Sequence, residues 1–272
     1  MPVIAMTQEM ASLGKDVALG VADKLGLQLV RHEVGDLVAG RMQVKKSLIR
    51  RIREGKASRV EKWSADEKTI SIFTAEEVLD LAVKGDVLIR GWGATLLLRS
   101  VPHIPCVRVC APTEVRVKRL MERLETDDEN LARHEIEVDD AARAQRMGEH
   151  FNVTWGDATL YDLTLNTERV SIESCIDEVV ALARRPEFKE TAASKQKLAD
   201  LAFEAKARAG LRADPRTAGI DILLKVSDGV ATLRGIVVDD REKALVREVV
   251  EKIPGEKSVR NELRTMTGRG RT

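Results

Sequence analysis

Aromatic side chains are scarce in this chain, with three Trp, four Phe and one Tyr among 272 residues. So few rings leave little for stacking against single-stranded bases. An excess of one charge is equally lacking: 45 Lys and Arg face 44 Asp and Glu, a net +1. That balance argues against a dedicated nucleic-acid binder. Cysteine occurs only as Cys106, Cys110 and Cys175, too few and too irregular for a disulfide framework or a four-ligand zinc site. The first and second of these read as core thiols. No apolar run nears the roughly 18 residues of a bilayer span. The opening MPVIAMTQEMASLGKD lacks the basic start and apolar stretch of a secretory signal, which predicts a cytoplasmic protein. His32, His103, His134 and His150 are scattered with no serine or carboxylate at triad-like placement, so hydrolytic chemistry has no support. Trp63 and Trp155 read as structural anchors rather than base-stackers, and Asp162 as a structural carboxylate.

What is present is a 43% hydrophobic content, enough to fill one large or two ordinary cores. Five short apolar stretches alternate with helical spacing: 2–7, 27–30, 86–89, 106–109 and 162–165. Helices are predicted over 14–25, 37–53 (one long basic helix or a pair), 74–83 with Thr74 as N-cap, 113–124, 130–150 and 171–184 with Ser171 as cap. The alternation predicts an α/β fold, a parallel five-stranded sheet covered by helices on both faces. Near Arg184-Arg185-Pro186 the pattern changes. The stretch 183–212 holds eight Lys or Arg and four Asp or Glu, and reads as a linker followed by a helix. Strict alternation then marks strands at 220–226 and 230–237 around the turn Ser227-Asp228-Gly229, a helix at 239–253 and a strand at 258–266. This second unit is small and α+β, in the order α-β-β-α-β. The expected division is a domain over 1–185, a linker over 186–193, a second domain over 194–267 and a disordered tail over 268–272.

The most informative segment is Thr7-Gln8-Glu9-Met10-Ala11-Ser12-Leu13-Gly14-Lys15-Asp16, set between the first strand and the first helix. Unpaired amides and the positive dipole end of a helix suit a phosphate there, and Lys15 supplies a mobile charge. The full phosphate-loop motif has Gly where Glu9 stands and Ser or Thr where Asp16 stands. The sequence resembles the cytidylate kinase-like branch of the P-loop nucleoside monophosphate kinases. In that branch the loop runs like S-R-E-Y-G-S-G-G-R-E, here TQEMASLGKD, with Ala11 and Leu13 in place of two glycines. Further likeness lies in VLIRGWGATLLL, APTEVRVKRLMER and HFNVTWGDATLYDLTLNTERVSIE.

That resemblance implies ATP on the loop Ser12, Leu13, Gly14, Lys15 and Asp16, with Mg2+ bridging its phosphates. It also implies Arg119 on the ATP base and Arg123 on the phosphates. Arg116, Arg119 and Arg123 are spaced to share one helix face. Arg90 follows the third strand at its C-terminal end, where open parallel sheets bind ligands, and related kinases place an acceptor-gripping arginine nearby. The segment 41–56 carries seven Lys or Arg and one Glu; from it Arg50 and Arg51 are selected for the acceptor phosphate. Asp139 matches a characteristic lid aspartate, with Arg143 and Arg146 nearby, and Arg143 is added to the phosphate contacts. The stretch 125–140, by contrast, holds eight acids and one Arg, a lid that repels ATP. The C-terminal unit resembles a BON domain in DGVATLRGIV and PGEKSVRNEL, which implies a binding module for a protein or lipid partner. Two readings stand: a nucleotide kinase acting on a monophosphate, CMP or dCMP first, or a catalytically degenerate nucleotide sensor or scaffold whose BON domain holds a partner.

Overall fold

The computed structural model describes residues 2–31, 33–58, 61, 66–255 and 258–266. His32, Trp63 and the tail 268–272 therefore lie outside the described residues. Five strands form the larger sheet: β1 (Val3–Gln8), β2 (Gln28–Val30), β3 (Val87–Arg90), β4 (Cys106–Cys110) and β5 (Leu163–Asn166). They pair in the order β2-β3-β1-β4-β5, all in parallel. Parallel pairing puts every strand's C-terminal end on one edge, with β1 central. Alternate residues of each strand serve opposite faces, as the strand period demands. Ile4, Met6, Leu88, Val107 and Val109 pack under α1 (Gly14–Leu25) and α8 (Ile172–Ala183). Val3, Ala5, Val87, Ile89 and Cys106 pack under the helices of the other face.

Those helices are α2 (Glu33–Met42), α3 (Lys46–Arg53), α4 (Glu67–Lys84) and the short α5 (Ala94–Leu97). The basic stretch is thus a helix pair, and α4 begins seven residues before the predicted Thr74. Its cap is Asp66, whose carboxylate accepts from the Thr69 amide; the polar first turn hides that start from a reading based on apolar spacing. Two helices, α6 (Thr113–Leu124) and α7 (Glu129–Phe151), form an antiparallel hairpin closed by Val117, Leu120, Ala132 and Ile136. Cys106 is buried and Cys110 half-buried. Asp162 accepts from the Cys106 amide at 2.7 Å and so serves the sheet.

The C-terminal unit contains α9 (Ala192–Ala213), β6 (Leu223–Ser227), β7 (Val230–Val237), α10 (Asp240–Glu251) and β8 (Ser258–Thr265). β6 and β7 are antiparallel, joined through Asp228 and Gly229 at φ 49 and 78, the double left-handed turn that hairpins favour. β8 runs parallel to β7. α9 is not a tether. Its Leu198, Ala202, Ala205 and Ala209 enter the core beneath the large sheet, while Phe203, Ala207 and Leu211 enter the core of the small one. Among the described residues no helix is long and apolar enough to cross a membrane.

Candidate functional site

The chain leaves β1 at Gln8 and re-enters regular structure at Gly14, at the C-terminal edge of the sheet. Between them Ala11 and Leu13 sit in the left-handed region, at φ 58 and 60. These are the positions at which glycines stand in the resembling kinases, so the loop keeps its path without them. A side chain in that region costs roughly 1–2 kcal/mol per residue. For Ala11 the cost is offset by packing, since Met10 and Ala11 lie against the apolar seam of the α6–α7 hairpin. Gly14 remains indispensable: a Cβ there would stand 2.6 Å from Cβ of Gln8. Ser12 is buried, its hydroxyl 2.9 Å from the Glu9 carbonyl and 3.1 Å from that of Val109. The amides of Leu13, Gly14 and Lys15 have no hydrogen-bond partner among the described residues. Lys15 and Asp16 are exposed at the helix start. The outcome is a turn with open donors beside a free ammonium group, the composition of an anion cradle.

Glu9, which displaces a motif glycine, does not fill that cradle. Its carboxylate turns inward, accepting from Arg108 at 2.6 Å and from the Ala111 amide at 3.1 Å. Arg116 lies 3.5 Å away and is itself held by Asp140. The four side chains form a buried ion network that ties the loop to β4 and to the hairpin.

Beside the loop is a cavity of about 390 Å³, walled by α3, α4, the turn after β3 and α7. Arg53, Arg143 and Arg146 line it together with Trp92, Phe151 and Trp155. The Arg53 guanidinium lies 3.4 Å from the centre of the Trp92 ring. Burial, reinforced by Arg143 and Arg146, lowers Arg53 to about 9. Burial likewise lowers Arg146 to about 10, with Arg143 adding repulsion. Arg90 is buried at the end of β3, donating from Nη1 to Gln8 at 2.8 Å, while its Nε and Nη2 have no partner. Burial and the neighbouring Arg31 and Arg143 lower it to about 10. All three remain cationic at neutral pH, but at an electrostatic cost that a bound anion relieves. Unpaired buried guanidinium donors of this kind suit a phosphate or carboxylate dianion.

The residues selected from sequence divide by place. Ser12, Leu13, Gly14, Lys15 and Asp16 form the loop; Arg90 bonds the Gln8 side chain at its start without lining the cavity, and Arg143 joins the two, lining the cavity and donating to the Gln8 carbonyl at 3.1 Å and to Asp139 at 2.6 Å. Arg50 faces solvent and Arg51 pairs with Glu61; the cation that α3 turns into the cavity is Arg53. Arg119 lies behind the loop, donating to the Thr167 hydroxyl at 2.9 Å and its carbonyl at 2.8 Å, and Thr167 in turn donates to Ser12 O at 2.9 Å. Arg123 is exposed near the end of α6, and Arg116 is buried, so the three arginines do not share one surface. Arg53 and Arg146 were legible by spacing: Arg53 lies four residues after the buried Ile49, and Arg146 three after Arg143. Trp155 is an anchor that also lines the cavity, its carbonyl accepting from Arg108. His103 does meet a serine, its Nδ1 2.8 Å from Ser194 Oγ, but that hydroxyl belongs to the capping box of α9 with Thr191.

The acidic lid is less repulsive than its count implies. Arg133 holds Glu129 and Glu114, Lys56 holds Glu135, and Asp139 and Asp140 are bound by Arg143 and Arg116. No group of three or more His, Cys, Asp and Glu among the described residues is arranged to hold a metal. Magnesium does not require one, since it commonly takes one or two carboxylates plus substrate phosphates. Asp16, a hard oxygen donor beside Lys15, fits that role.

A central parallel strand, a left-handed loop of free amides and an arginine-lined cavity at the same sheet edge define an α/β fold of the P-loop kinase-like class. Residues 3–169 match the family model described as the cytidylate kinase-like family, and the chain belongs to that family. Residues 199–266 match the BON domain. A cytidylate kinase of Staphylothermus marinus is 29% identical over 110 residues, 40% of this chain and 61% of that protein. The chain thus spans about three-fifths of that relative's length. A cytidylate kinase of Halobacterium salinarum is 28% identical over 167 residues, 61% of this chain and 72% of the relative. A crystal structure of an uncharacterized protein from Eubacterium ventriosum is similar in fold, with a TM-score of 0.53 at 20% identity, covering 68% of this chain and all of that one.

Proposed function

We propose that the chain transfers the terminal phosphoryl group of ATP to a nucleoside monophosphate, with CMP or dCMP as the first acceptor to test. The observation that carries the proposal is two cationic features at one sheet edge: the open amides of Leu13, Gly14 and Lys15, and the cavity lined by Arg53, Arg143 and Arg146, with the buried and partly unpartnered Arg90 beside Arg143. An oxygen of the acceptor phosphate attacks the terminal phosphorus, the bond to the bridging oxygen breaks, and the leaving diphosphate keeps that electron pair. Such a transfer asks the protein for positioning and cations rather than covalent chemistry. The loop amides hold the donor phosphates and Lys15 screens the charge shifting onto the bridging oxygen. Arg90, Arg53 and Arg146 hold the acceptor phosphate, taking the role assigned from sequence to Arg50 and Arg51. Arg119 acts through Thr167 to fix Ser12, and the exposed Arg123 is kept for the donor by resemblance. Magnesium, bound near Asp16, would supply further charge neutralisation.

The protein is placed in the cytoplasm, with residues 1–185 as the nucleotide-handling domain and 194–267 as a module for a protein or lipid partner. Purified chain given MgATP and CMP, dCMP, UMP or AMP should yield a diphosphate, and Lys15→Ala should lower the rate at least about 100-fold. No diphosphate from any of the four rejects the enzymatic reading. A second reading, a nucleotide sensor, is favoured by one feature: Arg119 is already engaged by Thr167 rather than turned to a nucleotide. Calorimetry that finds nucleotide binding without turnover selects it.

A further inference from the structure

One side chain of the C-terminal unit bonds the capped start of α4, a helix that walls the cavity. Arg212, near the end of α9, donates from Nε to the Thr69 hydroxyl at 2.6 Å, from Nη2 to the Asp66 carboxylate, and from Nη1 to the Ala218 carbonyl at 2.6 Å. Asp66 and Thr69 are the cap of α4: the Asp66 carboxylate accepts the Thr69 amide at 3.1 Å and the Thr69 hydroxyl at 2.7 Å. The turns that follow this cap present Glu67, Ile70, Ser71 and Thr74 to the cavity. One guanidinium therefore spans the carbonyl of its own domain and both capping groups of a cavity wall built by the other. The rigid body behind it is α9, buried on two opposite sides by the two cores.

We propose that Arg212 is a positioning residue for the acceptor site, so that the C-terminal unit is a working part of the nucleotide domain and sets acceptor affinity. This rests on the acceptor assignment above, because α4 walls the cavity, whereas among the described residues no hydrogen bond or ion pair joins it to the phosphate loop. Asp66 can cap α4 alone; Arg212 fixes where that capped end stands, and with it the spacing between Ser71 on α4 and Arg146 on α7. The planar fork of Arg aims Nε, Nη1 and Nη2 at three separated acceptors in one fixed geometry, which the compact ammonium of Lys does not span.

The test uses the full chain in three variants: Arg212→Met, Arg212→Lys and, as a control, Lys206→Met. Lys206 makes the neighbouring contact between α9 and α4, to Asp80 at 2.8 Å, on a residue that does not line the cavity. Hydrogen exchange over residues 66–74 should rise about tenfold in Arg212→Met and less in Arg212→Lys, with residues 14–25 unchanged. The dissociation constant for CMP should rise about tenfold in Arg212→Met while that for ATP stays within about twofold, and Lys206→Met should move neither. Exchange over 66–74 equal to that of the control, or CMP and ATP weakening together, overturns the proposal. If the unmutated chain binds no monophosphate, the acceptor assignment falls, while the exchange comparison still decides whether Arg212 positions α4.

Discussion

Removing the Glu9 carboxylate is the sharpest perturbation the structure offers. In Glu9→Ala the Arg108 guanidinium loses its charge partner and keeps the Trp155 carbonyl and the faces of the Trp155 and Tyr161 rings, and its Nε already lacks a hydrogen-bond partner. The Ala111 amide loses its acceptor as well. Arg116 is spared, because Asp140 and the Ala111 carbonyl still hold it. Breaking one member of a buried ion pair costs about 3–5 kcal/mol, since the partner's charge is stranded away from water. For a protein of this size that corresponds to a fall in Tm of roughly 6–20 °C. Calorimetric melting at pH 7 measures it. The stranded charge makes a second, stricter demand: Glu9→Ala combined with Arg108→Met should be at least about 2 kcal/mol more stable than Glu9→Ala alone, because an apolar side chain of similar volume needs no partner. A loss below about 1 kcal/mol in the single variant, or a double variant that is less stable still, refutes the claim that Glu9 is consumed by this network.

Leu13→Gly should leave Tm nearly unchanged, the relief of about 1 kcal/mol of left-handed strain matching the entropy that glycine loses on folding, whereas β-branched Leu13→Val should be clearly destabilised in the same melt. Burial lowers the pKa of His103 from its usual 6.5, so the unfolded chain takes up the proton first; stability is full above 6.5 and declines as pH falls below it. The decline from pH 7 to 5 should be smaller in His103→Gln, measured by urea unfolding at each pH. Arg53→Met should remove an unfavourable buried charge while weakening acceptor binding, so the apo protein's Tm should hold or rise as the CMP dissociation constant rises about tenfold or more.

Much of this architecture is legible in the sequence. The helices at 14–25 and 113–124 have the expected bounds because their apolar residues keep one period, and Gly26 and Pro112 mark one end of each. The start of α4 was not legible, because its first turn is polar and the cap lies outside the apolar pattern. In the cationic stretch 41–56 every Lys and Arg looks alike, and only the register set by Ile49 and Ile52 distinguishes Arg53 from Arg50. The inward turn of Glu9 depends on Arg108 and Arg116, 99 and 107 residues further on, which no local spacing records. Nor does composition reveal that the alanine-rich segment 192–213 is a helix buried on two sides, since alanine satisfies a core face and an exposed face equally well.

Crystals grown with ADP and CMP test most directly the two anion sites proposed at one sheet edge. A diphosphate is expected within hydrogen-bond distance of the amides of Leu13, Gly14 and Lys15, and a monophosphate on Arg90 Nε and Nη2 with Arg53 and Arg146. Phosphates bound elsewhere, with those amides and guanidinium nitrogens contacted by neither nucleotide, would contradict that placement.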